Sequence, residues 1–257
     1  MTVPRPRRRT AVGVSLLILF AFLLPERVEP SRLESRERVT RQIAMSRGGR
    51  LSVQTSIGDI LVRGWNRDLI ELRVDKTGDS SEDLALVPVD IQTDADQVMV
   101  TSRFPPYAPD LGVKVDYDIR LPAEFDLKLL ETGRGRVEIS GVTGRSIVRT
   151  VQGPVRIRSF SGILDVETIT GEIDATVDRL GPSGRILLET FNGDIRLRLS
   201  GAVKGHFALR TLNGTIESHL PLAVQHTFGP QVAHESNGVD EPMIRLSSVN
   251  GSIRVTR

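Results

Sequence analysis

No cysteine occurs among the 257 residues, so the chain can form no disulfide, offer no thiolate nucleophile and hold no cysteine-ligated metal. Aromatic residues are scarce, at 4%, while glycine reaches 23 residues. That balance suits many short strands joined by tight turns better than a bulky-cored enzyme. Phosphate-binding loops, serine triads and nucleotide fingerprints are missing from the sequence, and so are the paired aspartates of calcium-binding glycine-rich nonapeptides. The apolar fraction of 39% is ordinary, and the length allows one good core or two small ones.

The formal charge of +2 conceals an asymmetry. Residues 1–50 carry eleven arginines and four glutamates, a surplus of seven positive charges that leaves the remaining chain five negative. A folded part of that sign lacks the basic face that nucleic acid requires, so no nucleic-acid partner is expected.

Within residues 1–30, MTVPRPRRRT precedes the apolar run AVGVSLLILFAFLL, fourteen residues ending before Pro25. A basic start followed by an apolar stretch of this length reads as an export signal or an N-terminal membrane anchor, with the arginines held on the cytoplasmic side. Residues 31–49 read as a highly charged linker, either a tether or a short exposed helix.

The rest of the chain is organised by a repeat. Thr-x-x-Gly units occur as TSIGDILV at Thr55, TGRGRVEI at Thr132, TVQGPVRI at Thr150, TITGEIDA at Thr168, TFNGDIRL at Thr190 and TLNGTIES at Thr211, with SVNGSIRV at Ser248. From Gly135 onward the glycines are spaced 18, 18, 22, 21 and 37 residues apart. Apolar columns stand two residues before each Thr, at Leu130, Val148, Val166, Leu188, Leu209 and Leu246. A second set stands two residues after each Gly, at Val137, Val155, Ile173, Ile195, Ile216 and Ile253. Their period-2 alternation with polar residues predicts half-buried strands, two per unit. The expected fold is all-β: a parallel β-solenoid of coils of about 18–22 residues, with an N-terminal β cap region.

Two details sharpen this expectation. Three residues after each Gly the chain reads Glu138, Arg156, Asp174, Arg196, Glu217 and Arg254, alternating in sign, as an outward ladder of coils stacked in chain order would favour. Arg196 is then expected between Asp174 and Glu217. At the corners, Asn192, Asn213 and Asn250 precede the glycine, a turn signal that also permits a ladder of stacked amides.

The passage DYDIRLPAEFDLKLLETGRGRVEISG from Asp116, together with the T-x-x-G-x-I units after it, resembles a bacterial putative-adhesin family of β-strand-repeat domains of unknown function, exported or membrane-anchored. The resemblance covers roughly residues 51–257, implies a cell-envelope role, and supplies no catalytic residues. On this reading residues 50–125 hold the first coil and the N-terminal β region. Residues 126–257 hold the regular repeats, interrupted by a protruding loop at 218–242 that is the best candidate for partner contact. SIRVTR is expected to end the stack as an edge strand guarded by Arg254 and Arg257, available for self-association.

Chemistry is hard to place on this pattern. The position after the corner Gly reads Asp59, Arg136, Pro154, Glu172, Asp194, Thr215 and Ser252, and only Glu172 with Asp194 could form an acid and base on adjacent coils. His206, His219, His226 and His234 match no zinc spacing. No catalytic, cofactor-binding or metal residues are expected. The expectation is a non-enzymatic envelope or surface module that binds an envelope protein or surface polysaccharide and meets the membrane through its N-terminal segment. A carbohydrate-active parallel β-helix enzyme and a self-assembling structural subunit are the alternatives.

Overall fold

A computed structural model describes residues 35–106, 111–200, 205–220, 222–225, 231–235 and 242–257. The expected export or anchor segment, residues 1–30, and His226 lie outside the described residues. The N-terminal part supplies β1 (Ser35–Ala44), β2 (Arg50–Ile57), β3 (Ile60–Trp65), β4 (Leu69–Gly78), the helix α1 (Ser81–Ala85), β5 (Val89–Thr93), β6 (Gln97–Ser102) and β7 (Lys114–Pro122). The repeats supply β8 (Asp126–Arg134), β9 (Val137–Ser140), β10 (Thr143–Gln152), β11 (Val155–Thr170), β12 (Ile173–Arg179), β13 (Arg185–Asn192), β14 (Ile195–Leu199), β15 (His206–Asn213) and β16 (Ile216–Ser218). Then come β17 (Ala223–Gln225), β18 (Gln231–Glu235), β19 (Met243–Asn250) and β20 (Ile253–Thr256).

These strands form one curled, mixed sheet whose two ladders meet at the repeat corners. One ladder, which contains the strands that precede the corner glycines, runs β5, β6, β2, β8, β10, β11, β13, β19, β15, β18, β17. The other, which contains the strands that follow them, runs β1, β4, β7, β3, β9, β11, β12, β14, β20, β16. Strand β11 serves both: Val155–Arg158 lie between β9 and β12, and Ile163–Thr170 between β10 and β13. Ser159 at φ 50° and Gly162 at φ 127° turn the chain between its two halves.

The core lies between the ladders. Val53, Leu130, Val148, Val166, Leu188, Leu246 and Leu209 stand in register and are fully buried. Val137, Val155, Ile173, Ile195, Ile253 and Ile216 stand in register and are buried on the other ladder. Each such side chain contributes about 1.5–3 kcal/mol relative to exposure, so the two columns fix which face of every strand turns inward.

Five expectations need correction. The sheet is mixed: β1–β4, β4–β7, β5–β6, β15–β18 and β17–β18 are antiparallel, while the repeat units pair with one another in parallel. Ser35–Ala44, placed in the charged linker, is strand β1, because Val39 and Ile43 pack against the core while Arg36, Arg38 and Arg41 stay in solvent. Within 218–242, β18 pairs with β15 and β17 with β18, so these two strands extend the sheet where a protruding loop was expected. The stack also departs from chain order. Strands β19 and β20 lie between β13 and β15 and between β14 and β16, so the unit of Gly251 separates those of Gly193 and Gly214. The SIRVTR strand is paired on both sides and is no edge.

The N-terminal end is fastened by polar contacts. Buried Lys76 donates from Nζ to the Leu84 and Val87 carbonyls at 3.0 and 3.3 Å, and pairs with Glu37 of β1 at 2.6 Å. The Tyr117 and Ser102 hydroxyls hydrogen-bond to one another, joining the two ladders through the core.

Candidate functional site

The Thr-x-x-Gly corner has a structural purpose. Thr132, Thr190, Thr211 and Ser248 donate their hydroxyls to the carbonyls of Gly58, Gly171, Gly251 and Gly193 on the adjacent unit, at 2.7–3.2 Å. The glycines stack so closely that a Cβ on Gly193 would stand 2.1 Å from the Gly171 carbonyl oxygen, and one on Gly153 2.0 Å from that of Gly135. Asn213 donates to Asn250 and Asn250 to Asn192, both at 2.7 Å, a ladder of amides in spatial rather than chain order.

Glu172 and Asp194, the candidate acid and base, lie on adjacent units, and both face Arg196. Its guanidinium lies 2.9 Å from Glu172 and 3.7 Å from Asp194. Hydrogen bonding and charge from Glu172 hold the Arg196 pKa above the ordinary arginine value. Asp194 Oδ1 also accepts the Ser252 amide at 2.8 Å, and Asp59 accepts that of Arg136 at 2.9 Å, so an aspartate after the corner stitches its unit to the next.

The outward charge ladder is present with its last two members exchanged. Glu138 faces Arg156, which faces Asp174, which faces Arg196; Arg196 then meets Arg254, and Glu217 comes last. Of the histidines, His206 lies on β15 beside Met243, and the His219 amide donates to the Val255 carbonyl after β16. No cluster of three metal-ligating side chains occurs among the described residues. Among them, too, no helix is long and apolar enough to cross a membrane.

Two outward features escaped the sequence reading. Val151, Ile169, Phe191 and Leu212, the residues directly after Thr150, Thr168, Thr190 and Thr211, are 46–52% exposed. Their repeat at one position of the unit is the signal that could have shown them. A cleft of about 650 Å³ also opens on the outer face of β13, β19, β15 and β18, lined by Glu189, Ala208, Arg210, Val232, Arg245 and Ser247 among others. It depends on which strands become neighbours, which the order of the repeats misstates.

Stacked β units with glycine corners, held by threonine and asparagine ladders, define a β-repeat domain. Residues 34–256 match the Toastrack DUF4097 family, and the chain belongs to it, in agreement with the resemblance carried by the T-x-x-G-x-I units. Among solved structures the chain is similar to a putative cell adhesion protein from Clostridium sporogenes ATCC 15579, with 10% identity and a TM-score of 0.46 over 86% of this chain and 99% of that one. A putative adhesin from Bacteroides fragilis NCTC 9343 shares 14% identity at a TM-score of 0.46, over 86% and 98% of the two chains. A putative lipid binding protein from Parabacteroides distasonis ATCC 8503 shares 14% identity at a TM-score of 0.29, over 86% and 97%. No curated protein matches the chain.

Proposed function

We propose that this chain is a non-enzymatic binding or scaffold module of the cell envelope, exported or anchored through its N-terminal segment, with the parallel units acting as a rigid solenoid that presents ligand-contacting faces. The observation that carries the reading is the employment of Glu172 and Asp194. An acid and base must exchange protons with substrate, whereas here Glu172 faces Arg196 and Asp194 accepts the Ser252 amide, contacts that hold neighbouring units together. The partner is an envelope protein or surface polysaccharide. Self-association through the C-terminal strand loses its basis, since β20 lies inside the stack.

Cell fractionation and surface labelling test the location, and binding of the purified full chain to isolated envelope material tests the activity. Saturable binding without polysaccharide turnover is expected. Turnover lost in Glu172→Gln or Asp194→Asn would replace this reading with the carbohydrate-active enzyme, and cytosolic recovery without envelope binding would remove it.

A further inference from the structure

We propose that the outer cleft over β13, β19 and β15 binds a carboxylated sugar of an acidic polysaccharide. This inference rests on the reading of the chain as an envelope binding module and names its ligand. The cleft arises because the unit of Gly251 enters the stack beside that of Gly193. Glu189 of β13 then stands opposite Ser247 of β19, which stands opposite Arg210 of β15. One row away on the same face, Arg245 stands opposite Ala208. Ser247 and Ala208 are short, so a depression forms between the two guanidinium groups and the carboxylate. Among the described residues Arg210, Arg245 and Glu189 take no side-chain hydrogen bond or ion pair. Arg196, Arg254 and Arg149 on other parts of the stack are each paired with an acid.

The chemistry of the lining selects the ligand. Arg210 and Arg245 are diagonal neighbours on strands about 4.8 Å apart, and planar guanidinium forks suit a carboxylate. Glu189 on the opposite lip accepts hydroxyl protons, and Ser247 can donate or accept. Two residues further along β13 and β15, Phe191 and Leu212 are 52% and 46% exposed and offer apolar surface to the carbon face of a sugar ring. A dense polyanion, such as a nucleic acid or a phospholipid surface, is disfavoured because Glu189 repels it and has little to accept from it. A uronic acid brings one negative charge together with several hydroxyl donors, which matches the two arginines and the glutamate.

The test titrates the full chain with oligogalacturonate and oligomannuronate, each beside its methyl ester, and with anionic phospholipid vesicles. At least one uronate should bind more tightly than its ester and than the vesicles. Arg210→Gln and Arg245→Gln should each weaken that binding by about tenfold, the size of one lost charge-assisted hydrogen bond. Ser247→Leu should abolish it by filling the depression, and Arg158→Gln, on the other ladder, should leave it unchanged. Equal binding of acid and ester, preference for the vesicles, or insensitivity to Arg245→Gln and Ser247→Leu would overturn the proposal. Absence of uronate binding while envelope material is still bound would overturn the ligand and leave the binding module standing. Absence of both would remove the two together.

Discussion

Arg254 lies directly opposite Arg196 on the neighbouring strand, like charge against like, within a column that otherwise alternates in sign. Each arginine turns to a carboxylate elsewhere, Arg196 to Glu172 at 2.9 Å and Arg254 to Glu217 at 2.7 Å. Removing Arg254 therefore loses one favourable pair and one repulsion, and Arg254→Gln should change stability by less than about 0.5 kcal/mol. Glu217→Gln leaves the repulsion and takes only the counterion, and should cost up to about 1 kcal/mol. Urea denaturation at low and high salt checks both, since the Glu217→Gln effect should fade as salt rises.

Corner glycines should be intolerant of a single methyl group. In Gly193→Ala the new Cβ meets the Gly171 carbonyl oxygen at 2.1 Å, a backbone atom locked in the stack, so a loss of about 3 kcal/mol or more is expected. Gly181→Ala is the control: its Cβ meets nothing within 4 Å, and the substitution should be neutral or stabilise by about 0.5 kcal/mol. Thermal unfolding of the two variants should separate them clearly.

The threonine column should divide into two classes. Thr211 donates to the Gly251 carbonyl at 2.7 Å, and Thr211→Val should cost about 1 kcal/mol. The buried hydroxyl of Thr168 has no partner among the described residues, so Thr168→Val should be neutral or stabilising. Equal losses in both variants, measured by urea denaturation, would show that shape rather than hydrogen bonding sets the column.

Tyr117 predicts a stability loss in alkali. Burial, opposed by the weaker effect of the Ser102 hydrogen bond, pushes its hydroxyl up to about 12, against about 10 for an exposed tyrosine. The unfolded chain loses this proton first, so the contribution is complete below pH 10 and is lost between pH 10 and about 12. The total is about 2–3 kcal/mol from this group. Tyr117→Phe, measured by denaturant titration across that range, should flatten this part of the pH profile.

Much of the repeat was legible because its determinants are local. Threonine, glycine and the two apolar columns recur at fixed offsets, and each was found where the alternation placed it. The order of the last units was not legible, for a physical reason. Leu188 packs beside Leu246 or Leu209 with equal ease, so the core columns do not distinguish neighbours. Only exposed charges did, and these contribute too little to dictate topology. The interval from Gly214 to Gly251 was visible as long, and its length lets the chain leave the stack, lay β18 against the outer edge of β15 and return on the inner side. β1 was missed because Arg36, Arg38 and Arg41 mask the shallow apolar pair Val39 and Ile43. The cleft was invisible for the same reason as the order, since Glu189, Ser247 and Arg210 become neighbours only through it.

The interleaving of the unit of Gly251 bears on assembly. A linear array can be laid down one repeat at a time as the chain is made. Here β15 and β16 reach the rest of the repeats through β19 and β20, segments that follow them in sequence. They must wait in an unfinished state until those later residues have been synthesised. Maturation of this end is thus a single late closure, and a chain interrupted before Met243 would lack the piece that seats β15 and β16.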